Sequence, residues 1–103
     1  MREVSGSEFE ELIRGRVVVD FYADWCGPCR LLSPILERLE REFEGFEFVK
    51  VNVDRNPELA LRYGVRGIPT VLVFVRGKVV GGFVGALPED EVRNELFRAI
   101  LRA

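Results

Sequence analysis

Apolar positions recur along the chain in two rhythms. Val17–Ala23, "VVVDFYA", is a nearly continuous apolar run rich in β-branched residues, as expected for a strand covered on both faces. Phe46–Val53 and Pro69–Val75 read as further strands, and Lys78–Val84 follows Arg76-Gly77, which reads as a hairpin turn. Elsewhere the apolar spacing stretches to three and four, the helical period. Phe9, Leu12 and Ile13 precede Gly15; Leu32, Ile35, Leu36, Leu39 and Phe43 follow the first long strand; Val92, Leu96, Ala99 and Ile100 form a stripe near the end.

Local signals bound these elements. Ser7 with Glu10 predicts a capping box at the start of the first helix. Asn56 predicts the cap of a short helix, with Pro57 at its first position and Gly64 just past its end. The last helix is expected from Pro88, with Glu89, Asp90 and Glu91 in its first turn and Arg98 and Arg102 in its last, both favourable to the helix dipole. Pro34 lies inside the second helix, cannot donate to the Arg30 carbonyl and is expected to kink it. Val4 is expected to begin a short first strand. The order predicts an α/β sandwich with a mixed sheet, parallel in its first half and closing in an antiparallel hairpin.

Composition narrows the function classes. The 103 residues, with no repeat or linker-like stretch, are expected to form a single domain, 1–103. The net charge of −2, with Glu and Arg scattered along the chain, argues against nucleic acid or an anionic membrane as a partner. No apolar stretch approaches the ~18 residues of a membrane span, and "MREVSGSEFEELI" lacks a signal peptide's apolar core, so a cytoplasmic protein is expected. The chain contains no histidine, which removes Ser-His and Cys-His catalysis and every His metal ligand.

Both cysteines and the only tryptophan lie in "DWCGPCR", Asp24–Arg30. A stabilising staple is a poor reading, since a four-residue loop yields roughly 1.9 kcal/mol against about 4.7 for a 100-residue loop. A metal site needs about four ligands, and two Cys without His supply half of one. A redox pair fits the geometry. Residues three apart at a helix start share a face, and the positive end of the helix favours a thiolate at Cys26. Cys29, one turn inside, is expected to be more shielded and to resolve a mixed disulfide. Pro28 suits the first helical position.

The motif "WCGPC" (Trp25–Cys29) after "VDFYAD" (Val19–Asp24), followed by "VNVDRNPELALRYGVRGIPT" (Val51–Thr70) and "GKVVGGFVGAL" (Gly77–Leu87), resembles the thioredoxin family over essentially the whole chain. The resemblance implies a thioredoxin fold, with a central mixed sheet of about five strands flanked by four helices. It also implies a protein dithiol–disulfide oxidoreductase that reduces disulfides in protein substrates and is recycled by a thioredoxin reductase. Such a protein carries no cofactor beyond the Cys26–Cys29 disulfide and no metal, and is expected to be a monomer.

By position, the resemblance makes Cys26 the nucleophile and Cys29 the resolving thiol. Asp20 corresponds to the family's buried aspartate, Lys50 to the lysine near it, Pro69 to the cis-proline opposite the disulfide and Gly85 to the glycine of the substrate groove. Trp25, Gly27, Pro28, Ile68 and Ala86 complete an apolar docking surface. Read without the resemblance, Asp20 interrupts an apolar strand, where a charge is costly unless paired or protonated. It is therefore either half of an ion pair with Lys50 or a base with a raised pKa below the sulfurs. Gly81-Gly82 reads as a bulge.

Overall fold

The computed structural model describes residues 1–103. Five strands form one sheet in the order β1-β3-β2-β4-β5: β1 Arg2–Glu3, β2 Arg16–Tyr22, β3 Glu47–Asn52, β4 Thr70–Val75 and β5 Lys78–Val84. Strand β3 runs parallel to β1 and β2, whereas β4 is antiparallel to β2 and β5. Four helices complete the fold: α1 Gly6–Leu12, α2 Gly27–Leu39, α3 Pro57–Arg62 and α4 Glu89–Leu101.

Central strand β2 explains its own sequence. Val17, Val19 and Phe21 point to one face, into a cluster with Phe9, Ile13, Val49, Val51, Leu59 and Phe74. Val18 points to the other, against Leu32, Leu36 and Leu39 of α2 and Val92, Leu96 and Ala99 of α4. Covered on both faces, the strand cannot alternate apolar with polar residues, so the run is continuous. Asp20 lies on the α2 side and is wholly buried. On the opposite side, the Phe9 ring sits 5.5 Å from Phe74, 5.6 Å from Tyr63 and 6.3 Å from Phe21. Each fully buried side chain of this size contributes about 1.5–3 kcal/mol.

Several local expectations are corrected. The first helix begins at Gly6 with Ser5 as its cap residue, two positions before the expected box, and no side chain caps it. Glu8, three residues after Ser5, is bonded to Arg2 instead. The entry is fixed from a distance: β1 ends at Glu3, and the Val4 N–H donates to the Lys50 carbonyl at 2.9 Å, so Val4 follows the strand that it was expected to begin. Asn56 does hold the cap position of α3, but its amide donates to the Asn52 carbonyl (3.0 Å) and leaves the helix N–H groups alone. Pro28 stands at the second helical position, behind Gly27. Helix α2 continues through Pro34 and ends at Leu39, and a 3₁₀ turn, Glu40–Glu42, carries the chain to buried Phe43.

Other boundaries follow their signals. Gly64, at φ +68°, ends α3: its N–H bonds Leu61 O and that of Val65 bonds Ala60 O, a Schellman closure. Arg76 and Gly77, at φ 52° and 84°, form the tight turn between β4 and β5. The bulge lies beside Gly81, where the pairing skips from Val73–Gly81 to Phe74–Val79. A Cβ on Gly81 would run into Ala99 of α4, and one on Gly82 into the Val71 carbonyl. Close approach of helix and neighbouring strand thus requires both glycines.

Candidate functional site

The cysteine pair sits where β2 leaves the sheet and α2 begins, at the carboxyl end of the central strand. Cys26 caps α2 and its Sγ accepts the Cys29 N–H at 3.2 Å. The two are disulfide-bonded, with Cα atoms 5.3 Å apart, within the normal range for such a bridge. The Cys29 amide points at Cys26, so a thiolate formed there on reduction meets a backbone donor and the positive helix end. The expected difference in shielding is slight in this oxidised form, since Cys26 is 3% and Cys29 2% exposed.

The residues expected to surround the pair come together in part. Ile68 packs against the cluster of Ala23, Cys26 and Cys29. The Ile68–Pro69 peptide bond is cis. The Pro69 carbonyl accepts the Gly85 N–H at 2.8 Å, and Gly85, at φ +99°, adopts a backbone conformation that favours glycine. Gly27, Pro28 and Ala86 are exposed. Trp25 is 69% exposed, its indole N–H fixed at 2.9 Å by Asp54. Beside it lies an open groove of about 350 Å³, walled by Val53, Ile68 and Val65 and by Pro57, Ala60 and Leu61 of α3. Sequence reading missed the α3 wall, because an exposed Leu61 on a short helix carries no local signal of its purpose.

Asp20 is buried on β2, with Ser33 of α2 nearby. Neither carboxyl oxygen has a hydrogen-bond partner. Burial pushes its pKa up from 3.8 to about 7, and the Lys50 charge and the nearby Ser33 hydroxyl counter this only partly. The alternative expectation, an ion pair with Lys50, is not what forms. Asp20 and Lys50 are register partners on β2 and β3, yet the Lys50 ammonium stands over the Tyr22 ring, 5.2 Å from its centre. A cavity of about 300 Å³ opens beside Cys29, lined by Lys50, Ser33, Arg30 and Tyr22 among others. No group of three or more His, Cys, Asp or Glu side chains is placed to hold a metal ion.

The thioredoxin family profile matches residues 1–98. The chain belongs to the thioredoxin family. It is 48% identical over 81 residues to the thioredoxin of Chlorobaculum thiosulfatiphilum, an alignment spanning 78% of this chain and 75% of that one. It is 43% identical over 96 residues to the thioredoxin of Griffithsia pacifica, covering 90% and 88% of the two chains. A solved mutant thioredoxin from Halobacterium salinarum superposes with a TM-score of 0.81 at 38% identity, over 91% of this chain and 84% of that one. The architecture is accordingly the thioredoxin fold, and this thioredoxin-family chain with its redox-active Cys-X-X-Cys pair is a thiol–disulfide oxidoreductase with protein-disulfide reductase activity.

Proposed function

We propose that residues 1–103 act as one thioredoxin domain that reduces protein disulfides through a mixed disulfide. In the reduced protein, the Cys26 thiolate attacks one sulfur of a substrate disulfide. A Cys26–substrate bond forms, the substrate S–S bond breaks, and the leaving sulfur takes a proton. Cys29, giving its proton to Asp20, then attacks the Cys26 sulfur. The Cys26–Cys29 disulfide forms, the second substrate thiol departs, and two electrons have passed to the substrate. A thioredoxin reductase, in the cytoplasm, returns the pair to the dithiol.

Three features of β2 and the start of α2 carry this reading together. A sulfur caps a helix, a second sulfur lies one turn inside, and an unpartnered carboxyl with pKa about 7 is buried on the strand that leads into them, beside Ser33 of that helix. A base titrating near neutrality can accept a thiol proton and release it again. Trp25, Gly27, Pro28, Ile68, Pro69, Gly85 and Ala86 are assigned to substrate docking, with Lys50 accompanying Asp20. The test is Cys29→Ser with a disulfide-containing protein such as insulin. The expected outcome is accumulation of a covalent adduct through Cys26 that dithiothreitol releases. Release of free, reduced substrate at the wild-type rate would refute the resolving role of Cys29.

A further inference from the structure

The oddity that the mechanism leaves unexplained is why Lys50 and Asp20, facing each other across two paired strands, do not form an ion pair. Asp20 and Tyr22 are two apart on β2 and so share the α2 face, and Lys50, the register partner of Asp20, lies on that face of β3. The Lys50 ammonium therefore has two seats within reach, the carboxylate of Asp20 and the ring of Tyr22. It occupies the second, 5.2 Å from the ring centre. That ring is itself anchored. The Tyr22 hydroxyl donates to Glu3 of β1 at 2.7 Å, and Glu3 also accepts Arg55 at 2.7 Å. The phenol is held above its ordinary pKa, by burial first and by the Glu3 bond, so it stays neutral and keeps donating. A half-buried aromatic face held in this way is a seat for an ammonium.

We propose that Tyr22 is a positioning residue: its ring, pinned by Glu3, seats the Lys50 ammonium away from Asp20 and so keeps that buried carboxyl unpaired. A paired Asp20 would stay ionised through the neutral range and could no longer exchange a proton with Cys29. The use of that proton rests on the function proposed above; the placement of Lys50 does not. The other groups around Asp20 leave Lys50 the deciding charge. Helix α2 presents Ser33, β4 presents Val71 as register partner, and Cys29, Asp24 and Arg30 line the cavity beside Lys50, with Arg30 bonded to the Asp24 carbonyl.

The test reads the carboxyl directly in the oxidised protein, by following the carboxyl carbon of ¹³C-labelled Asp20 by NMR as pH is varied. Tyr22→Leu removes the ring, and Lys50 is expected to close on Asp20, lowering its midpoint by about one pH unit or more. Tyr22→Phe keeps the ring but removes its bond to Glu3, and is expected to lower the midpoint by less than Tyr22→Leu does. In a Lys50→Met background, Tyr22→Leu should have no further effect, whereas a merely structural role would move the midpoint in both backgrounds. An unchanged or raised midpoint in Tyr22→Leu overturns the proposal. Should Tyr22→Leu fail to fold, Tyr22→Met serves in its place with the same expectations. Because no turnover is measured, this result is independent of the adduct trapped by Cys29→Ser.

Discussion

A wholly buried carboxyl without a partner makes folding depend on pH, and Asp20→Asn isolates that dependence. Folded Asp20 keeps its proton up to about pH 7, whereas the unfolded carboxyl loses it near its ordinary 3.8. Between those values the folded state binds more protons than the unfolded one, so stability falls as pH rises through the window. A rise of roughly three pH units corresponds to about 4 kcal/mol. This penalty is absent below pH 3.8 and complete above pH 7. Asparagine has nearly the same shape and never ionises. Its own cost, an unbonded amide, is independent of pH.

The difference in unfolding free energy, variant minus wild type, should therefore climb by about 4 kcal/mol between pH 4 and pH 8. The assay is urea denaturation of both oxidised proteins at half-unit pH intervals. With the disulfide intact, neither cysteine titrates. Other perturbed carboxylates, such as Glu3 and Glu42, are held low in both proteins and cancel in the difference. A difference that stays flat across this range would refute the reasoning. One that falls with rising pH would mean that Asp20 is ion-paired in solution.

Three further outcomes follow from the packing and the site. Phe9→Ala, which empties the centre of the aromatic group around Phe21, Tyr63 and Phe74, should cost about 3–5 kcal/mol, read as a lower urea midpoint at constant slope. Gly82→Ala, which drives a Cβ into the Val71 carbonyl, should cost about 1–3 kcal/mol, while Gly6→Ala, with open space around it, should stabilise by about 0.4–1 kcal/mol; equal effects by thermal unfolding would refute the assignment. The Cys26–Cys29 reduction potential, titrated in dithiol buffers and followed by Trp25 fluorescence, should lie below about −240 mV, and a value above about −190 mV would reverse the proposed direction of electron flow.

The legible parts of the fold were those decided by a residue's own neighbours in sequence. The continuous run in β2, the stripe in α4 and the Arg76-Gly77 turn each state a local periodicity or conformation that tertiary structure then uses. The illegible parts were competitions between partners distant in sequence. Two serines each stand three residues before a glutamate, and the choice between them was made by Val4 bonding to Lys50 and Arg2 taking Glu8. Asn56 found a carbonyl of the preceding turn before it found a helix amide. Ile68–Pro69 carries no local signal for cis; only the resemblance pointed there. Asp20 and Lys50 were visible as a pair, but the ring that takes the lysine was not, because Tyr22 read simply as the end of an apolar strand.

The position of Asp20 is itself an argument about what the core is for. Val18 on the same face of the same strand shows what packing alone would select there, and a Val at position 20 would remove a penalty of about 4 kcal/mol above neutral pH. That penalty is a large share of the 5–15 kcal/mol by which a domain is usually stable. It is tolerable because β2 is paired on both sides and its other inward residues, Val17, Val18, Val19 and Phe21, are each at most 1% exposed. A carboxyl on an edge strand would admit water and lose the raised pKa that makes it a base near neutrality. The central strand thus supplies both things that the proposed chemistry needs: enough surrounding core to bear the cost, and enough dryness for the cost to become a usable proton affinity.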